Sequence, residues 1–237
     1  MTAVEVKNLV KHYGNIEAVK GINFDIKQGE IFGLIGPNGA GKTTALRVLS
    51  TLLTITSGSV KILGFDLEDQ PDEIRKIISY LPEDAGAYRN LTGRRYLEFI
   101  ADFFGTDKVD SIVKKGIEIA DLDNRINDRV DTYSKGMQRR LLVGRALMIN
   151  PRLAILDEPT SGLDVNNAQE IRNIIKKSAQ RGTTFLVSSH NMLEVEYLCN
   201  RIALIDDGLI VEEGKPDDLK KKHNAINIEE VFTKVVK

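Results

Sequence analysis

Three apolar runs along the chain are nearly uninterrupted: IFGLIG (Ile31 to Gly36), RLAILD (Arg152 to Asp157) and TTFLVSS (Thr183 to Ser189). Such runs belong to strands buried on both faces, and they predict the core of a largely parallel sheet. Near the N-terminus, VEVKNLV and GINFDIKQGE alternate apolar with polar residues and are broken by Gly14, Gly21 and Gly29. This period of two predicts an antiparallel layer with one face open to water. A second such layer is expected over RIALIDDGLIVEEG, where Asp207-Gly208 is a hairpin signal.

Between Thr92 and Asn150 the period changes. Tyr96, Phe99, Ile100, Phe103 and Phe104 recur at helical spacing, and Ile112 to Ala120 and Met137 to Ile149 also read as helices. A helical lobe is therefore expected to interrupt an α/β body. The tail after Pro216 is charged and weakly helical.

Composition narrows the class. A chain of 237 residues, 42% hydrophobic and 28% charged, is that of a folded protein with a sizeable core. Its formal charge of −1 supplies no global basic field, so no nucleic-acid partner is expected. The clusters Arg94-Arg95, Arg139-Arg140 and Lys220 to Lys222 read as solvated faces. A single cysteine, Cys199, leaves no internal disulfide framework, fits a reducing compartment, and reads as a small buried hydrophobe. With neither a secretion signal nor a stretch of about 18 apolar residues, the chain is expected to be soluble by itself and to reach any membrane through a partner.

The candidate chemistry begins at the end of the first apolar run. Gly36, Pro37, Asn38, Gly39, Ala40, Gly41, Lys42 and Thr43 satisfy G-x-x-x-x-G-K-[ST], and Thr44 continues into a helical segment. In a strand–loop–helix setting the glycines let successive N–H groups turn toward phosphate oxygens, and the helix N-terminus adds partial positive charge. Lys42 is expected at the outer phosphates and the Thr43 hydroxyl on Mg²⁺. RLAIL ends in Asp157-Glu158, two carboxylates at the sheet edge where ligands bind in α/β proteins. Alone, such a pair is ordinary surface; behind a phosphate loop it becomes a metal carboxylate, Asp157, and a general base, Glu158. A guanine-reading N-K-x-D motif is absent, which favours ATP.

YSKGMQRR (Tyr133 to Arg140), LDEPTSGLD (Leu156 to Asp164) and SSH (Ser188 to His190) follow the phosphate loop in an order and spacing that resemble the signature, Walker B with D-loop, and switch histidine of ABC transporter ATPases. The resemblance covers essentially the whole chain. It implies an α/β P-loop NTPase core with a parallel sheet, an N-terminal antiparallel β layer and an inserted helical subdomain. Residues 1–84 and 151–215 would form the nucleotide-binding core, 85–150 the signature subdomain and 216–237 a helical tail.

The resemblance also implies an ATPase powering a separate integral-membrane permease from the inner face of the membrane. Two ATPase subunits, copies or relatives, would sandwich ATP between the phosphate loop of one and the signature of the other. Ser134 and Gly136 would then face the γ-phosphate from the opposing subunit, with Asp164 at the seam. His190 would orient the attacking water, and Tyr13 would stack on adenine with Val19 beside it. Two positions depart from the common pattern. Glu83 stands where glutamine is usual, leaving a carboxylate able to bind Mg²⁺, and Ser134-Lys135-Gly136-Met137 replaces serine-glycine-glycine-glutamine. Similar substitutions occur in an export branch of drug, sodium and polysaccharide pumps. The alternative readings are a soluble ATPase of the same type and an ATP-sensing regulator without turnover.

Overall fold

The structure, a computed structural model, describes residues 1–105 and 107–236, apart from the side chain of Glu194. Thr106 and Lys237, within the ranges expected for the signature subdomain and the tail, lie outside the described residues.

Two long strands, β1 (Thr2–Tyr13) and β2 (Ile16–Lys27), pair antiparallel, and β3 (Ile31–Ile35) leads through the phosphate loop into α1 (Lys42–Leu49). The segments β4 (Ser57–Ile62) and β5 (Phe65–Asp66) extend the antiparallel sheet in the order β2-β1-β4-β5. After α2 (Pro71–Arg75) and β6 (Ile78–Leu81) come three helices, α3 (Gly93–Asp102), α4 (Val109–Ala120) and α5 (Lys135–Leu147). The chain returns through β7 (Leu153–Leu156), α6 (Val165–Gln180), β8 (Thr184–Ser189), α7 (Met192–Val195), β9 (Arg201–Asp206) and β10 (Leu209–Gly214). Helices α8 (Pro216–Lys222) and α9 (Ile228–Val235) close the described chain.

The second sheet has the order β10-β9-β3-β8-β7-β6, parallel except for β10. Its central strands β3, β8 and β7 are buried on both faces. Phe32, Leu34, Ile155, Leu186 and Ile205 pack with Val4 and Leu9 of the antiparallel sheet, whereas Ile35, Leu156, Phe185, Val187 and Leu204 pack with the helices. Neighbouring residues thus enter different cores, which is why these strands read as continuous apolar runs. Each such side chain contributes about 1.5–3 kcal/mol by leaving water.

Two patterning expectations change. RIALIDDGLIVEEG is not a separate antiparallel layer: β9 pairs parallel with β3, and only β10 turns back as an antiparallel edge. Gly21 does not break β2; the register slips by one residue there, as Leu9 faces Ile22 and Val10 faces Lys20. The slip is a bulge that keeps Val19 and Ile22 both facing inward.

The helical lobe forms, but α3 ends at Asp102, so Phe103 and Phe104 of the expected helical pattern lie beyond it and are exposed. Tyr96, Leu97 and Ala101 of α3 join Val113 of α4 and Leu141, Leu142 and Ala146 of α5 in the core beneath the parallel sheet. Cys199 is buried there too.

Candidate functional site

The C-terminal ends of β3, β7 and β8 lie side by side, and each continues into one of the motifs. The Gly36 N–H donates to the Ser189 carbonyl at 3.2 Å, joining the ends of β3 and β8, and the Asp157 N–H donates to that of Leu81 at 2.8 Å, joining the ends of β7 and β6. The phosphate loop then closes on itself. Gly41 adopts φ +100°, and a Cβ there would collide with the Ala18 carbonyl, so only glycine brings the loop this close to β2. The Lys42 ammonium, 5% exposed, donates to the Gly36 carbonyl at 2.7 Å and to that of Pro37 at 3.0 Å.

A cavity of about 170 Å³ opens above the loop. Asn38, Gly39 and residues 41–44 line it on one side, Glu83 and Glu158 also face it, and Ala18 completes the lining. Glu158 is 5% exposed and adopts left-handed φ +48°. Its Oε2 meets Nδ1 of His190 at 2.8 Å, and its Oε1 lies 3.6 Å from Nζ of Lys42. That Oε1 is buried without a hydrogen bond. Asp157, 1% exposed, accepts the Ser188 hydroxyl at 2.5 Å, and Ser188 in turn accepts the Glu158 N–H at 2.9 Å.

These groups suit Mg²⁺. Among the described residues no cluster of three or more His, Cys, Asp or Glu could hold a metal alone. Mg²⁺ asks for less, since it binds through one or two protein oxygens and completes its shell with phosphate and water. Thr43 and Glu83 line the phosphate-loop cavity, the orphaned Glu158 oxygen is a buried acceptor of a lining residue, and Asp157 is buried next to Glu158 at the end of β7, outside that lining.

The expected signature residues stand elsewhere: Ser134, Gly136 and Asp164 do not line this cavity. The Ser134 hydroxyl caps α5, accepting the Met137 N–H at 3.2 Å. Gly136 is buried, and a Cβ there would collide with the Asn167 side chain. Asp164 caps α6; hydrogen bonds from the Asn167 backbone and side chain hold its carboxyl below the usual range. Glu83 accepts the Ser161 hydroxyl at 3.2 Å, joining the loop after β6 to the loop after β7. Tyr13 is 44% exposed at the end of β1, with the Lys11 ammonium 5.6 Å from its ring centre.

Two expectations need correction. Val19 is fully buried between the sheets, so its side chain packs the core and its neighbour Ala18 is the one at the cavity. Arg139 is no solvated cation: it is 8% exposed and gives five hydrogen bonds to main-chain carbonyls. Burial pushes its guanidinium below its ordinary value, opposed by the charges of Glu83 and Asp157. Arg140 bonds the Asp121 carbonyl and Glu170 at the surface of the helices.

A parallel sheet carrying a phosphate loop after β3, with paired acids at the end of β7 on the far side of β8, defines a P-loop NTPase fold. The ABC transporter family profile matches residues 19–161, and the chain belongs to this family. The chain is 36% identical to a linearmycin resistance ATP-binding protein of Bacillus subtilis over 91% of its own length and 70% of that protein's. With a bacitracin transport ATP-binding protein of Bacillus licheniformis the identity is 39%, over 94% and 72% of the two chains. A Nod factor export ATP-binding protein of Rhizobium etli is 34% identical over 98% and 74%. Among solved structures, an ATP-binding subunit of an ABC transporter superposes with TM-score 0.86 at 26% identity, covering 99% of this chain and 100% of that one. A dimeric ATP-binding cassette bound to ADP and Pi superposes with TM-score 0.78 at 28% identity, covering 90% and 98%.

Proposed function

We propose that this chain hydrolyses ATP to power a separate integral-membrane permease, and that the transporter is an exporter. The observation that carries the reading is the line from Lys42 through Glu158 to His190, with separations of 3.6 and 2.8 Å, in which Lys42 and Glu158 line the phosphate-loop cavity and His190 stands behind Glu158 in the adjoining one. An acid held between a phosphate-binding lysine and a histidine is placed to take a proton from water beside the γ-phosphate.

In this reading ATP displaces the Gly36 and Pro37 carbonyls from Lys42, whose ammonium turns to the outer phosphates while the loop amides hold them. Tyr13 offers its exposed ring to adenine. Thr43, Asp157 and Glu83 would hold Mg²⁺, which when bound offsets phosphate charge. Glu158 accepts the proton of the attacking water, and His190, fixed against Oε2, orients that water. Charge on the γ-phosphate is stabilised by Lys42 and by the signature residues Ser134 and Gly136 of a second ATPase subunit, with Asp164 at the seam.

The need for that second subunit is supported by the position of the signature outside the cavity and by the dimeric arrangement of one structural relative. Export is supported by the relatives in linearmycin resistance and Nod factor export. No helix among the described residues is long and apolar enough to cross a membrane, so spanning the bilayer is assigned to the permease, with this chain peripheral on its inner face. Tyr88, Phe99 and Phe103, exposed and stacked edge to face, give the helical lobe an aromatic patch for that contact. The subdomain division at residues 85–150 belongs to the same reading.

The test has two parts. Steady-state phosphate release from Mg-ATP should be measurable and concentration-dependent. Sedimentation of Glu158→Gln should show monomers without nucleotide and dimers with Mg-ATP, because ATP binds the closed pair better than the open chain. A variant that binds ATP yet stays monomeric at high concentration defeats the sandwich.

A further inference from the structure

We infer that Arg139 is a positioning residue that holds the Glu158 main chain in its reactive geometry and ties the signature helix to both catalytic loops. The inference rests on Glu158 being the general base. Arg139 lies one turn into α5, whose N-terminus carries the signature. Its Nε donates to the Pro159 carbonyl at 2.8 Å, Nη2 to those of Glu158 at 2.7 Å and Asp157 at 3.0 Å, and Nη1 to those of Glu83 at 3.1 Å and Pro82 at 3.4 Å. All five guanidinium donors are used, on two segments that are also joined at their strand ends and through the Ser161 hydroxyl.

The reason for such an arrangement lies in Glu158. Its φ of +48° is costly for a residue with a long side chain, so the conformation must be imposed from outside. Its N–H is fixed by Ser188 and its carbonyl by the Ser161 N–H and by Arg139. Among the described residues Arg139 makes no ion pair, so its hydrogen bonds all go to carbonyl dipoles, while the charges of Glu83, Asp157 and Glu158 act on it from farther away. A lysine, with three donors around one nitrogen, could not span carbonyls presented along a planar fork. Because the same guanidinium bonds the Glu83 carbonyl, a shift of α5 or of the Glu83 loop is transmitted to Glu158 through one rigid group.

The test is a cycle of Arg139→Gln and Glu158→Gln, read by kcat, ATP affinity and melting temperature. Arg139→Gln is expected to lower kcat about 10- to 100-fold with ATP affinity within about twofold, the range of a displaced catalytic geometry. In the Glu158→Gln background the same change should cost less than about twofold, because the base it positions is gone. Arg139→Lys should recover part of kcat, and it serves as the working variant if Arg139→Gln does not fold. Parallel losses of kcat and ATP affinity, or equal losses of kcat with and without Glu158, overturn the inference. If Glu158→Gln alone hydrolyses ATP at the parental rate, the general-base assignment fails. A lowered kcat in Arg139→Gln would then overturn the inference as well, by showing that Arg139 acts on another group.

Discussion

Lys42 and Lys135 both occupy the first position of a helix, α1 and α5, and both follow loops drawn from glycine- or serine-bearing motifs. One is 5% exposed and pinned by two carbonyls above a cavity; the other is exposed, with its ammonium against Gly162. The phosphate-loop cavity is walled from within the chain by Ala18 of β2 and by Glu83 and Glu158 after β6 and β7, with His190 after β8 held on Glu158. The signature region is capped by its own Ser134 and crowded by its own Asn167, and its Lys135 lines a separate cavity that Glu83 and Glu158 also reach. Equivalent local chemistry thus yields a preorganised pocket in one place and a presented surface in the other.

The largest expected effect breaks the preorganised side. Glu158→Gln should lower hydrolysis about 10²–10⁴-fold with nucleotide binding kept, measured by phosphate release beside equilibrium binding. Hydrolysis at the parental rate would remove Glu158 from the role of base.

Next in size is the lysine pair itself. Lys42→Ala should weaken nucleotide affinity roughly 10- to 100-fold, the worth of a charged hydrogen-bonding partner. Lys135→Ala should leave the affinity of the monomer unchanged. Titration with a fluorescent ATP analogue at low protein concentration compares them, and equal losses would erase the distinction between the two regions.

A smaller effect is expected on stability at the signature. Ser134→Ala removes the α5 cap and should cost about 1 kcal/mol in denaturant unfolding. An unchanged midpoint would mean that water replaces the hydroxyl at no cost.

The smallest is an acid dependence at Asp164. Its folded pKa is depressed, so its contribution to stability is present above the ordinary carboxylate value of about 4 and is lost as pH falls through the folded value. The difference in melting temperature between the parent and Asp164→Asn should therefore shrink on acidification from neutral pH. A constant difference would assign the cap to hydrogen-bond geometry without charge.

Much of this arrangement is legible from residue order. The strands β3, β7 and β8 announce themselves because burial on both faces leaves no charged position, and the phosphate loop because its glycines, lysine and threonine are set by local backbone geometry. The pairing of β9 was not legible, since an alternating run looks the same whether it joins a new layer or the edge of an old one. Val19 and Ala18 are neighbours on β2, and only the bulge at Gly21 and the sheet packed beneath decide which one meets the cavity.

Arg139 and Arg140 make the division sharpest. As residues they are identical, and by position they are consecutive on one helix. Helical geometry turns successive side chains by about 100°, so one enters the gap below β6 and β7 and the other meets Glu170 at the surface. The sequence by itself determined the motifs, their order, and the apolar periods that make strands and helices, because these depend on near neighbours along the chain. The tertiary structure alone decided which cation is buried, which carbonyls satisfy it, and which half of the nucleotide site faces outward. Those outcomes depend on segments far apart in sequence, whose meeting is set by packing.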